Sequence, residues 1–337
     1  MPVPPTPQGL TCRVEDRPPA DGDGVLAVVS RGRRSAAPVL RDGVPALRVA
    51  VPEAGPTGRV EVWRTGRPVT SGQDDDGLVH AHDGQYLFCA ARIRHDEDYD
   101  VATEKTYLRI LDLAAGEGYP DVARMWNVVG GITAPVADGS DRYREFCRAR
   151  GRAFGERGLG AGAAMPAATG IGGQDGFTTV HLLATRSPVV RIENPLQVPA
   201  FEYPPRYGVQ PPSFARAAWV RTGDRSGDLF VSGTASIRGH LTVHHGDVER
   251  QTRATLDTVA ELVSGANLRA HGVDADVALR DLDAVTVYVK HPDDVPAVRR
   301  ICAAALGAGS RVVHTVADVC RDDLLVEIEA FTAVRSR

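Results

Sequence analysis

The sequence predicts an α/β (α+β) protein of two tandem units, mixed sheets packed against helices. Three observations predict it. The 337 residues exceed what one ordinary core encloses, so two units of roughly 100 to 150 residues each are expected. Strand and helix periodicities alternate along the last third of the chain, and the same order of elements recurs upstream.

The downstream unit opens on Leu229-Phe230-Val231-Ser232-Gly233, a short apolar strand that runs into a glycine turn. A helix follows. Asp247 is placed to cap it, Leu256, Val259, Ala260 and Val263 recur at helical spacing, and Gly265 stops the run. Val285-Thr286-Val287-Tyr288-Val289 alternates as a half-buried strand does, and Pro292 and Asp293 end it. A helix from Val295 to Leu306, a strand from His314 to Cys320, a turn at Arg321-Asp322-Asp323 and a last strand from Leu324 to Phe331 complete a β-α-β-α-β-β order.

Upstream, Tyr86 to Ala90 reads as the first strand and Thr103 to Ala115 as the first helix. Asp121 to Gly130 parallels the strand around Val287, Arg142 to Phe154 supplies the second helix, and Thr178 to Ala184 parallels Leu324 to Ala330, with His181 in the place of Glu327. Residues 1–195 are expected to form the N-terminal domain, with 1–75 extending its first unit, and 213–337 the C-terminal domain. Between them, 196–212 is too rich in proline for a helix interior or central strand, yet its aromatic residues argue for an ordered linker.

Apolar residues make up 43% and charged residues 24% of the chain, the balance of a soluble globular protein, and no apolar run nears the ~20 residues of a membrane span. The proline-rich stretch from Met1 to Pro19 lacks the basic and apolar regions of a secretory signal, so a cytoplasmic location is expected. The five cysteines are widely spaced and form no C-x-x-C pair, which argues for reduced thiols and against structural zinc. Net charge is -4 and the arginines are scattered, so no nucleic-acid face is expected. Nucleotide-binding glycine motifs, the G-x-S-x-G elbow and H-E-x-x-H are all absent, and no cofactor is predicted. His240, His244 and His245 cluster, but Gly239 and Gly246 flank them, and exposed loop histidines are the better reading than a metal site. The pair His80 and His82 is a weaker candidate still.

Three segments remain as carriers of chemistry. Thr169-Gly170-Ile171-Gly172-Gly173 reads as a glycine-rich turn, either a tight connection or a cradle of backbone N–H groups for an anion. Asp141 to Arg152 places five arginines and Tyr143 on one helix. Tyr143 and Arg150, seven apart, share a face from which Arg148 diverges. That face suits a carboxylate, which a guanidinium grips through two parallel bonds, and a solvated basic face is the alternative. On the last strand, Leu325, Glu327, Glu329 and Phe331 share one side. A carboxyl turned inward there would titrate high and serve as an acid or base near neutral pH, and a wet edge strand is the alternative.

Residues 230–330, with Val231-Ser232-Gly233, Gly246-Asp247, Gln251 and Leu325 to Ala330, resemble the RidA/YjgF fold, itself similar to the chorismate mutase barrel. Arg124-Met125-Trp126-Asn127, Asp141 to Arg148, Pro166 to Gly172, Glu193 to Ala200, Tyr207-Gly208 and Pro212 to Arg216 together resemble the chorismatase family over roughly residues 85–335. The resemblance implies an enzyme that takes a small molecule, chorismate, without cofactor or metal and supplies starter acids for secondary metabolites. It places the two substrate carboxylates on Tyr143, Arg150, Tyr203 and Arg216, with Arg148 and Tyr207 as second choices, and makes Glu327 the acid/base. Cys320, seven residues before Glu327, and Gly233 match the branch that forms 3-hydroxybenzoate rather than a dihydroxycyclohexadiene carboxylate. The implied chemistry is proton delivery by Glu327 with internal displacement of the enolpyruvyl group by the neighbouring ring hydroxyl, the Cys320 thiol assisting proton movement. Other readings are the hydrolytic chorismatase, a RidA-like imine deaminase and a ligand-binding protein without activity. The assembly expected is a monomer or a trimer-like homo-oligomer.

Overall fold

The computed structural model describes residues 9–20, 22–96, 98–159 and 164–335. Part of the proline-rich N-terminal stretch, residues 1–8, lies outside them. Three larger sheets carry the fold. In the first, the strands run Thr11–Glu15, Val60–Arg64, Val25–Arg31, Val44–Val49, Ala36–Arg41. Residues 1–75 were expected to extend the first unit; instead most of them form this separate sheet. Only Thr70–Gln73 and the following Val79–His82 join the next one.

The second sheet has the order Ala167–Gly173, Asp121–Gly130, Phe177–Thr185, Tyr86–Arg94, then Val79–His82 and Thr70–Gln73. The third runs Arg311–Val316, Ala284–Val289, Val326–Val334, Gly227–Ala235, then Ala217–Arg221 and Val189–Ile192. The first pair is parallel in both, and the next two pairings are antiparallel in both. This shared order is the recurrence read in the sequence. His181 pairs across with Trp126 as Glu327 pairs with Tyr288. The strand Val189–Ile192, which precedes residue 195, belongs to the third sheet.

Helices α1 (Tyr99–Gly116) and α2 (Arg142–Glu156) cover the second sheet, and α3 (Val248–Val263), α4 (Gly265–Ala270) and α5 (Val295–Ala305) accompany the third. Asp141 caps α2 by accepting the Arg144 N–H at 2.8 Å, and Asp247 caps α3 by accepting that of Arg250 at 2.9 Å. The alternation of Val326-Glu327-Ile328-Glu329-Ala330 sorts its side chains as the pleat requires. Val326, Ile328 and Ala330 pack toward the helices, while Phe331 joins a core between the sheets with Trp63, Trp126 and Phe230.

Two further sequence expectations are corrected. Thr169 to Gly173 is no turn but part of the parallel strand Ala167–Gly173. Its glycines let other segments cross close by. A Cβ on Gly172 would stand 2.7 Å from that of Asp318, and one on Gly170 would stand 3.2 Å from the Tyr143 ring. The strand expected at His314 to Cys320 ends at Val316, because Asp318 then turns to accept the Gly172 N–H at 2.8 Å. Cys320 is thereby left in a loop.

Candidate active site

A cavity of about 320 Å³ opens where α2, the strand Ala167–Gly173, the 196–212 linker and the third sheet meet. A register shift between Val231 and Thr234 shapes its floor. There the strand Gly227–Ala235 leaves its ladder, and the Gly233 N–H turns across to Thr169 Oγ1 of the second sheet at 2.9 Å. Beside it, Ser232 Oγ accepts the Ala168 N–H at 2.9 Å and donates to the Ala215 carbonyl at 2.6 Å. These bonds stitch the two sheets together at the cavity floor.

Glu327 rises into this floor. It is only 4% exposed, and no donor among the described residues hydrogen-bonds its carboxyl. Burial first, then the neighbouring Glu329 charge, push its pKa up to about 8, against the opposing pull of Arg124 and Arg216. The carboxyl lies directly over Gly233, and a Cβ there would fall 1.9 Å from Glu327 Oε1. Only glycine leaves room for this placement.

Cations dominate the walls. Arg150 is 2% exposed and has no carboxylate partner among the described residues. Burial works against its charge, and the Tyr107 hydroxyl, a hydrogen-bond partner, helps to hold it protonated. Its guanidinium lies over Phe146 at 5.0 Å and Phe154 at 5.7 Å. Arg216, equally buried, donates to the Tyr203 hydroxyl at 2.7 Å and the Val198 carbonyl at 2.9 Å. Arg216 has Glu193 as a carboxylate neighbour at 4.0 Å, whereas Arg150 has none among the described residues; burying such a cation is costly unless an anion completes it, so the cavity suits an anionic ligand.

Of the residues singled out from sequence, Tyr143, Arg150, Tyr203, Tyr207, Arg216, Gly233, Cys320 and Glu327 all line this one cavity. Arg148 does not. It turns outward to Asp138 at 3.1 Å and Asp100 at 3.5 Å, as its divergence around the helix requires. The linker delivers Tyr203 and Tyr207 through two short 3-10 turns, Ala200–Glu202 and Pro205–Tyr207. Cys320 faces the cavity as a neutral thiol, since burial and the charge of Glu327 push its pKa up to about 12. It is therefore a weak proton donor and no base.

Sequence reasoning missed Arg206 and Arg321 at the cavity mouth. Arg321 lies 4.0 Å over the Tyr207 ring and 5.2 Å over Tyr203, and it donates to the His240 carbonyl at 3.0 Å. Arg206 reaches His240 Nδ1 at 2.8 Å, and neither arginine has an acidic partner among the described residues. Each is adjacent in sequence to a residue already singled out, Tyr207 or Cys320, and that adjacency was the available signal. His245 meets Asp323 at 3.4 Å, and no group of three or more His, Cys, Asp or Glu among the described residues is placed to hold a metal. Among them, no helix is long and apolar enough to cross a membrane.

An arginine-lined cavity over one high-titrating carboxyl is an arrangement suited to acid chemistry on a compact anion. The family described as "Chorismatase FkbO/Hyg5-like, N-terminal" matches residues 61–184. A 3-hydroxybenzoate synthase of Streptomyces hygroscopicus is 44% identical over 317 residues, 92% of each chain. A chorismatase of the same organism is 42% identical over 326 residues, 96% of this chain and 94% of that one. A crystal structure of a chorismatase superposes with a TM-score of 0.90 at 40% identity, covering 96% of this chain and 98% of its own. The chain belongs to the chorismatase family.

Proposed function

We propose that this enzyme converts chorismate to 3-hydroxybenzoate and pyruvate, with Glu327 as the acid. The observation that carries the reading is a buried, high-titrating carboxyl in one cavity with Arg150, Arg206 and Arg321, which have no acidic partner among the described residues. Tyr143 with Arg150, and Tyr203 with Arg216, take the two substrate carboxylates from opposite walls. That grip holds the neighbouring ring hydroxyl in line with the carbon bearing the enolpyruvyl ether. Glu327 gives its proton to the methylene carbon, the ether C–O bond breaks with its electrons forming the pyruvate carbonyl, and the hydroxyl oxygen closes onto the ring carbon. The proton shed by that hydroxyl returns to Glu327. Opening of the resulting epoxide and loss of a ring proton, matched by protonation of the oxygen, give the aromatic acid with no net water.

The 3-hydroxybenzoate branch is favoured over the hydrolytic one by Gly233 and Cys320, both lining the cavity, and by the 44% identity to a 3-hydroxybenzoate synthase. The five unpaired cysteines fit work in a reducing compartment, the cytoplasm. Incubating the purified protein with chorismate and resolving the products by chromatography with mass detection tests the reading. Pyruvate with 3-hydroxybenzoate is expected; a non-aromatic dihydroxy acid overturns the branch, and unchanged chorismate overturns the activity.

Gly233→Ala bears on the same point. The new methyl group must displace the Glu327 carboxyl, which lies 1.9 Å from its position. The rate of 3-hydroxybenzoate formation should fall by about tenfold to a hundredfold, the order of loss that an ångström of misplacement causes, with a non-aromatic product rising in its place. An unchanged rate and product would show that the carboxyl does not act from where it stands.

A further inference from the structure

Behind Glu327 lies a second buried carboxyl that the mechanism above does not use. Glu329 is 6% exposed and accepts from four side chains. Arg124 donates to Oε2 at 2.6 Å, Thr169 Oγ1 donates to the same oxygen at 2.5 Å, and Tyr288 Oη and Trp126 Nε1 donate to Oε1 at 2.9 and 3.2 Å. Arg124, Trp126 and Thr169 come from the second sheet, Tyr288 and Glu329 from the third. The network therefore forms only when the two units meet.

The hydrogen bonds at Thr169 assign its single proton. Its oxygen already receives an Arg124 N–H at 2.6 Å and the Gly233 N–H at 2.9 Å. Both are obligate donors, so the hydroxyl hydrogen points to Glu329, which must be the acceptor. One hydroxyl thus ties the carboxylate of Glu329 to the peptide on which Glu327 rests.

We propose that Glu329 is a positioning residue for Glu327: its anion keeps the neighbouring carboxyl in the acid form, and through Thr169 it fixes the Gly233 peptide beneath that carboxyl. The remaining groups around the pair leave this role to Glu329. From the first sheet, Arg31 and Glu61 close on one another at 2.5 Å, and Cys12 is held neutral by burial. His181, stacked on Trp126, is held neutral by burial and by Arg124 and Arg31, its pKa pushed down to about 3. On the cavity side, Tyr143 of α2 and Cys320 of the loop after Arg311–Val316 are neutral, while Arg216, which has Glu193 at 4.0 Å, and Arg124 of the second sheet are the cations that favour ionisation of Glu327. Glu329 is the charge that opposes them at close range, two residues away on the same face of the strand.

The inference rests on the proposed turnover of chorismate, and its test separates the two. Rates are measured against pH for the full chain and for Glu329→Gln. The parent enzyme should lose activity as pH rises through about 8, where Glu327 gives up its proton. Removing the Glu329 charge makes that proton easier to lose, so the falling limb should move to lower pH by about one unit, an interaction of ordinary size for neighbouring carboxyls. A purely structural role would lower the rate or the melting temperature and leave the limb in place, which overturns the proposal. If the single variant does not fold because Arg124 is left unpaired, Arg124→Gln with Glu329→Gln leaves no new lone charge. Its limb should move the same way by less, since Glu329 outweighs Arg124 at Glu327, and an unmoved limb again overturns the proposal. For the second half, Thr169→Val should lower kcat about tenfold, and Thr169→Ser should restore it; a valine variant with the full kcat contradicts the tie. A parent enzyme that leaves chorismate untouched strikes the proposed function instead.

Discussion

Glu327→Gln is expected to lose chorismate turnover by about a thousandfold or more, within the range that removal of a general acid produces, while still binding the substrate. The carboxyl is buried, receives no hydrogen bond from the described residues and titrates near 8, so at neutral pH it is a neutral group. A glutamine copies its shape and lack of charge and removes only the transferable proton. The fold and the arginine walls should be untouched, and kcat should collapse with little change in the dissociation constant. Pyruvate release and calorimetry measure the two quantities. Turnover at the parent rate would remove Glu327 from the mechanism.

Arg150→Met should divide function from stability in a way that few buried substitutions do. An ion pair loses stability when one partner goes, because the other is left buried and alone. Arg150 has no carboxylate partner among the described residues and lies between the rings of Phe146 and Phe154. An unbranched apolar side chain fits that surrounding, so the melting temperature of the ligand-free protein should hold or rise. Chorismate should bind about a hundredfold more weakly, the cost of about 3 kcal/mol for a charge-assisted bond to a buried anion. Arg124→Met provides the contrast, because it strands the Glu329 carboxylate and should destabilise the fold. An unchanged KM in the Arg150 variant would contradict its assignment to a substrate carboxylate.

Much of this site was legible because it is built on regular periodicities. The alternation from Val326 to Phe331 placed Glu327 and Glu329 on one face, and helical spacing put Tyr143 and Arg150 together and sent Arg148 away. What the sequence hid was set by partners distant along the chain. Thr169 to Gly173 reads as a turn because its glycines look like breaks, yet they serve the close passage of Asp318 and Tyr143 across a strand. The first sheet was missed because short strand-like runs such as Val25 to Val29 carry no record of which strands they pair with. Arg124 stood in a motif that marked the family, but its role appears only once Glu329, 205 residues away, is beside it. The mouth arginines Arg206 and Arg321 sit in irregular segments, where no periodicity says which way a side chain turns.

The most direct test of a protonated Glu327 as the acid is the pH dependence of kcat/KM for chorismate between about pH 6 and 10, a span chosen to bracket the raised pKa. A group needed in its acid form supports activity below its pKa and withdraws it above, so the rate should be level near pH 6.5 and fall with an apparent pKa of about 8. A profile that stays flat through that range, or rises across it, would contradict the account.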